Sequence, residues 1–331
     1  MKDWTLKWMF ICLLCFLPLA MYLHLISGQI ELSFASYLDS ILNFDSKNTS
    51  QVLVREFRVP RLLMAMMAGA GLSLSGMFMQ TLFKNPLAGP YVLGINSGAS
   101  LLIALSLMTG VHFFQSNFGL IGTALIGAFA AGLLMMLIAQ RLKSQITLLL
   151  VGLMFGSFTS AIVSILESFA GAESLKSYTM WSMGSLQQVE FGQLGIILVI
   201  FALGIVASFL LVKPLNMLVI GEKSAALLGL PIKATRMFVL LLTALFAGLI
   251  TAFCGPIAFV GIAIPNLSRI LFQTTNHRYL IIGNILIGAI FLLLTDAFIQ
   301  VLEGHISIPL NALTSIIGAP FVVFLLIRKL R

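Results

Sequence analysis

The sequence predicts an all-α, polytopic membrane protein of about ten transmembrane helices. Three observations predict it. Of 331 residues, 60% are hydrophobic and 9% are charged, against roughly 25% charged in a soluble domain. The apolar runs are solid and about 20 residues long, which suits helices. A transmembrane β-barrel would instead alternate in segments of about ten residues. The basic residues are also unevenly placed. Lys2, Lys7, Lys84, Arg141, Lys143, Lys213, Lys223, Lys233, Arg236, Arg269, Arg278, Arg328, Lys329 and Arg331 fall on one side of the implied topology. Only Lys47, Arg55, Arg58, Arg61 and Lys176 fall on the other. That asymmetry marks the cytoplasmic side and places both termini there. The net charge of +8 therefore encodes orientation, not nucleic-acid binding.

The runs place spans at about 7–27, 53–83, 91–109, 117–140, 147–170, 192–212, 235–254, 257–272, 279–302 and 309–327, within one transmembrane domain over residues 1–331. The first has the look of a signal peptide, but its apolar part is too long and no A-x-A site follows, so it reads as a span. Its Cys12-x-x-Cys15 has no second pair or His nearby, and with Cys254 reads as small apolar filler. The loop from Gln29 to Gln51 carries Glu31, Asp39, Asp45 and Lys47, the composition of a solvated segment.

The second run opens with Arg55-Glu56-Phe57-Arg58-Val59-Pro60-Arg61. Arg58 and Arg61, three apart, share a face on a helix. Basic residues on the outer side run against the orientation rule. On residue types alone, two readings stand level: an interfacial anchor, or a docking point for an acidic partner. The following Ala68-Gly69-Ala70-Gly71-Leu72-Ser73-Leu74-Ser75-Gly76 has the wrong spacing for a dinucleotide loop but suits close helix approach. Asn85 to Pro90 breaks the chain at the inner side, and a small-faced third span follows. In the fifth span Gly152, Gly156 and Ser160 fall four apart, with Ser164 beyond. This stripe serves either tight packing or a subunit seam or pore lining. Glu167 stands near its outer end, and Tyr178 and Trp181 read as interface aromatics.

Lys213 to Arg236 lies between two apolar runs and holds Lys213, Lys223, Lys233, Arg236 and Glu222. Each of the four cations would cost about 2.5–3.5 kcal/mol at a bilayer centre, so the segment sits in water. Glu222 to Leu228 predicts a short helix with its acid in the first turn, stopped by Gly229 and Pro231. With Ala225, Ala226, Leu227 and Leu228 along it, it reads as a docking knob for a cytoplasmic partner.

Ala247-Gly248-(x6)-Gly255 repeats the spacing of Ala68-Gly69-(x6)-Gly76 in the opposite direction, a hint of an inverted repeat. Gly255 to Gly261 and Ile264 to Arg269 mark a broken eighth span. Asp296 lies inside the ninth with no basic residue in that span. It is a functional candidate by default, but reads better as a hydrogen-bonded tie between helices. The tenth span runs from Pro309 past Gly318-Ala319-Pro320. No G-x-x-x-x-G-K-[ST], H-E-x-x-H, metal-ligand cluster or nucleophile–base pair occurs, so the residues offer no enzyme site.

Taken together, RVPRLLMAMMAGAGLSLSGMFMQTLFKNPLAGPYVLGINSGA, WSMGSL, GEKSAALLGLPIKATR, GPIAFVGIAIPNLSRIL and IPLNALTSIIGAPF resemble the permeases of bacterial ABC importers for iron–siderophore, haem and vitamin B12. The blocks keep the family's order from about Arg58 onward. The resemblance implies a type II ABC importer permease fold in the bacterial inner membrane. It implies a second permease copy or paralogue, two cytoplasmic ATPases that bind the ATP and magnesium, and an extracytoplasmic solute-binding protein. No cofactor is implied for this chain. The resemblance makes 215–236 the home of a coupling helix, with Glu222, Ala225, Leu227, Leu228, Gly229 and Leu230 meeting the ATPase. It tips Arg58 and Arg61 towards binding-protein docking. It places the gate at Gln145 and Ile146 and the pathway or seam along Gly152, Gly156, Ser160 and Ser164. Three departures stand out. Gln145 and Ile146 replace a small polar gate pair of the vitamin B12 importer. Gln300 replaces a further docking arginine. Pro265-Asn266-Leu267-Ser268-Arg269 lacks the family's His. An ion-coupled secondary transporter using Asp296 or Glu167 is the alternative reading.

Overall fold

The computed structural model describes residues 3–28, 30, 37, 39–40, 42–109, 117–142, 144–304 and 306–330. Lys2, Glu31, Lys143 and Arg331 lie outside it, as do the side chains of Gln145, Arg328 and Lys329. The chain is helical throughout the described residues: α1 (Asp3–Ile26), α2 (Thr49–Phe83), α3 (Ile95–Met108), α4 (Asn117–Arg141), α5 (Gln145–Phe169), α6 (Ala172–Ser182), α7 (Phe191–Leu210), α8 (Val212–Ile220), α9 (Glu222–Leu227), α10 (Ile232–Cys254), α11 (Val260–Phe272), α12 (His277–Leu302) and α13 (Leu310–Leu330). Seven are long and apolar enough to cross a membrane, and α3, α11 and α13 add three shorter apolar helices. These ten correspond to the ten expected runs. The elements missed at sequence level, α6 and α8, are short and amphipathic.

Helix α2 is the hub, with nearly every residue from Met64 to Leu82 buried. Its small residues are the cause. A Cβ on Gly69 would sit 2.0 Å from the Gly288 carbonyl oxygen of α12, and one on Gly76 would sit 1.6 Å from that of Gly261 in α11. Backbones this close gain dispersion contacts, the main attraction available between helices in lipid. Ser73 adds a hydrogen bond to the Asn284 carbonyl of α12 at 2.7 Å. Gly98 of α3 and Gly127 of α4 approach each other in the same way. In α10, Gly248 meets Ala128 of α4. Thus the two Ala-Gly segments of the suspected repeat each pack a central helix against a neighbour.

The two short spans begin alike. A 3-10 turn at Pro90–Leu93 precedes α3, and irregular chain from Gly255 precedes α11. Their N-caps, Gly94 and Phe259, are both left-handed, at φ 69° and 65°. Irregular backbone inside a membrane protein is tolerated only when its polar groups find partners. Here Ile257 N–H donates to Tyr91 Oη at 3.1 Å, Ala258 N–H to Asn311 Oδ1 at 3.0 Å, and Ser185 N–H to the Cys254 carbonyl at 2.8 Å.

Tyr178 and Trp181, expected as interface aromatics, turn their rings into the protein. Both are buried, with ring centroids 6.2 Å apart. Helix α6 packs against α3.

Candidate functional sites at the two membrane faces

The Lys213–Arg236 segment forms a hook. Lys213 to Ile220, placed in water by its charges with no helix predicted, belongs to the amphipathic helix α8, with Leu215 and Leu218 buried. Gly221 turns the chain at φ 126°, a conformation other residues rarely adopt. Helix α9 then closes on a Schellman motif: Leu230 N–H donates to the Ala225 carbonyl and Gly229 N–H to that of Ala226, both at 3.0 Å. Gly229 holds the required left-handed position at φ 85°. The expected helix to Leu228 therefore stops one residue earlier, with Leu228 as C-cap.

The faces of α9 are sharply divided. Ala225 and Leu230 are buried, whereas Leu227 is 90% exposed and Leu228 63%. Glu222 pairs with Arg236 at 3.1 Å, and Arg236 also donates to the Leu142 carbonyl beyond α4 at 3.0 Å. Arg236 was expected among the solvated cations. It is buried and braces α9 to α10 and the end of α4. Lys213, Lys223 and Lys233 remain exposed. The result is a stiff knob with two leucines at its tip.

At the other end of α2 the two arginines part company. The chain from Leu53 to Arg58 is π-helical, with Val59 N–H reaching back to the Val54 carbonyl. The wider turn rotates Arg58 away from Arg61. Arg58 is buried and donates to the Leu25 carbonyl at 2.8 Å, to Tyr37 Oη and to the Ile30 carbonyl. Their shared face does not exist. Arg61 instead reaches α12. Its Nε and Nη2 meet the two Asp296 oxygens at 2.7 and 3.0 Å, and Nη2 also meets Glu303 at 3.0 Å.

Asp296, expected to have no cation within its span, meets Arg61 and His24 from other helices and Gln300 one turn along its own. His24 Nε2 of α1 lies 2.7 Å away, and Gln300 Nε2 donates at 3.1 Å. The carboxylate ties α1, α2 and α12, in line with the tie reading. Glu303 is about a third exposed and accepts from Gln187 at 2.8 Å. Arg58, Arg61, Gln187, Gln300 and Glu303 line an outer cavity of about 360 Å³. Sequence reasoning missed His24, Glu303 and Gln187. A His, an acid and an amide at helix ends carry no motif.

The stripe of α5 divides. A Cβ on Gly152 would lie 1.9 Å from the Val92 carbonyl, and one on Gly156 3.4 Å from Ser97 Oγ, so these two serve packing inside the chain. Ser160 and Ser164 are exposed, as is Ile146 near the start of the helix. Leu153, Met154, Phe158, Ile165 and Phe169 are exposed too, making an apolar outer face.

Comparison with known proteins matches the FecCD transport family over residues 15–328. The chain is 31% identical to the hemin transport system permease of Yersinia pestis, covering 91% of this chain and 90% of that one. It is 34% identical to the vitamin B12 import system permease of Salmonella typhi, covering 85% of each. A solved structure described as an inward-facing conformation of a metal-chelate type ABC transporter superposes with a TM-score of 0.84 at 30% identity, over 97% of this chain and 99% of that one. On this match the chain is a member of the FecCD transport family, a multi-pass permease subunit of an ABC importer.

Proposed function

We propose that this permease carries a metal chelate, an iron–siderophore, haem or cobalamin, across the inner membrane by alternating access. Two cytoplasmic ATPases grip α9, and a solute-binding protein delivers cargo at the outer face. A second copy or a paralogue completes the path, and both termini face the cytoplasm. The relatives' hemin and vitamin B12 names support the cargo class. The observation that carries the mechanism is the tip of α9. Two exposed leucines on a helix braced by the Glu222–Arg236 pair have no covering element among the described residues. An exposed apolar tip on a rigid mount marks a protein-binding surface, and its ties to α4 and α10 would carry motion into the bundle. The ring of Arg61, Glu303 and Gln187 supports docking outside, with Gln145, Ile146, Ser160 and Ser164 proposed along the gate and seam.

The test is Leu228→Asp. The variant is expected to insert and assemble normally while ATP hydrolysis no longer drives uptake. Coupled transport at the wild-type rate would refute the role of α9. The ion-coupled alternative needs a carboxylate that can exchange its charge, yet Asp296 is held by Arg61 and His24. Uptake that survives ATP depletion at a constant ion gradient would restore it.

A further inference from the structure

A second cavity opens where α2 and α11 end and α12 begins, bordering the hook at Val219 of α8 but apart from the tip of α9. Its volume is about 360 Å³, and its lining includes Gln80, Lys84, Val219, Arg269, Thr275 and Leu280. No carboxylate lines it among the described residues. Arg269 is half-buried, and its one hydrogen bond among the described residues is to Gln80 Oε1. Asn266 donates to the Pro86 and Ile262 carbonyls, and both ring nitrogens of His277 are engaged, by Thr81 and Asn216. Two cations are therefore left facing a cavity whose other polar groups are largely satisfied.

The backbone adds an independent observation. Lys84 caps the C-terminus of α2 at φ 49°, and Gln273 caps that of α11 at φ 46°. Glycine or asparagine is the usual residue in this left-handed position, because a Cβ there crowds the backbone. Lys84 takes the position at that cost, and its exposed side chain lines the cavity. The helix C-termini attract cations, but an arginine and a lysine beside one cavity exceed what two partial charges offset. An unpaired, partly buried guanidinium calls for an anion.

We propose that this cavity binds a phosphate-bearing anion, with Arg269 and Lys84 as its cationic ligands and Thr275 as a hydroxyl donor. Arginine and lysine are the side chains that hold phosphate best. The place also suits it. The cavity lies where three spans end on the basic side of the protein, and basic pockets between helices at that level take anionic lipid headgroups. Val219 and Leu280 supply apolar lining beside the cations. The phosphate comes either from an anionic phospholipid or from a free anion.

The experiment uses the full-length permease in bilayers of equal phosphatidylglycerol and phosphatidylcholine, followed by native mass spectrometry of the retained lipid. Wild type is expected to retain phosphatidylglycerol preferentially. Lys84→Asn removes the charge while suiting the left-handed backbone, and should lower that preference about fivefold, as expected for one lysine near an anionic surface. Arg269→Gln should do the same, and Lys84→Arg should preserve it. A second arm titrates inorganic phosphate against the melting temperature in phosphatidylcholine alone. A Lys84-dependent rise there with no lipid preference assigns the site to free phosphate. No dependence on Lys84 or Arg269 in either arm overturns the proposal. So does a Lys84→Asn variant that loses only its association with the ATPase, since the anion would then be a protein carboxylate.

Discussion

Two guanidiniums three residues apart on one helix ordinarily share their surroundings, yet Arg58 and Arg61 do not. The π-helical turn over Leu53–Arg58 sends Arg58 to the end of α1 and leaves Arg61 to α12. An acid on a docking protein can reach Arg61 only by displacing Glu303, the more exposed of its two carboxylates. Glu303→Gln is therefore expected to tighten binding-protein affinity, and Arg61→Glu to weaken it, the effect growing at low salt. Titration of the purified binding protein at two ionic strengths checks both; equal affinities would remove Arg61 from the docking surface. Asp296 belongs to a different class. Cutting a buried charge from its partners typically costs about 3–5 kcal/mol. Asp296→Ala should lower the melting temperature of the purified protein sharply, because it takes the shared carboxylate from His24 and leaves Arg61 only the more exposed Glu303.

At the scale of helices, the small residues of α2 decide how closely its neighbours pack. Gly76→Ala places a methyl inside the Gly261 carbonyl. Overpacking of this kind costs about 1–3 kcal/mol or more, so thermal unfolding should occur well below wild type. Gly122→Ala on α4 meets nothing within 4 Å and should be neutral or slightly stabilising. Equal effects from the two would mean that the seam is looser than its geometry. The sequence pattern pointed to close approach around Gly69 and Gly76, but not to the partners. Those partners are Gly288 and Gly261, about 200 residues away, and a lone glycine does not announce which backbone it faces. Helix α9 was legible for the opposite reason. Its stop at Gly229 and Pro231, its first-turn acid and its flanking lysines are all local.

Across the whole molecule, the sidedness of charge predicts that Leu227 and Gln187 stand on opposite faces of the membrane. With Cys12 and Cys15 replaced by Ser, Leu227→Cys should react with an impermeant maleimide only from the cytoplasmic side, and Gln187→Cys only from outside. Labelling of both from one side would invert or break the topology.

By itself the sequence determined the helical class and the ten runs, and it predicts their orientation and the exposed knob of α9. These depend on properties that add up along the chain: hydrophobic length, charge count, helix starts and stops. The tertiary structure alone decided which charges are spent inside. Arg58 and Arg236 looked available as isolated letters, yet Arg58 is committed to the end of α1 and Arg236 to Glu222 and the Leu142 carbonyl, while Asp296, read as a tie, finds its partners on α1 and α2. A charge away from water is held in place by whatever lies within about 3 Å of it, and proximity of that kind exists only once the helices have packed.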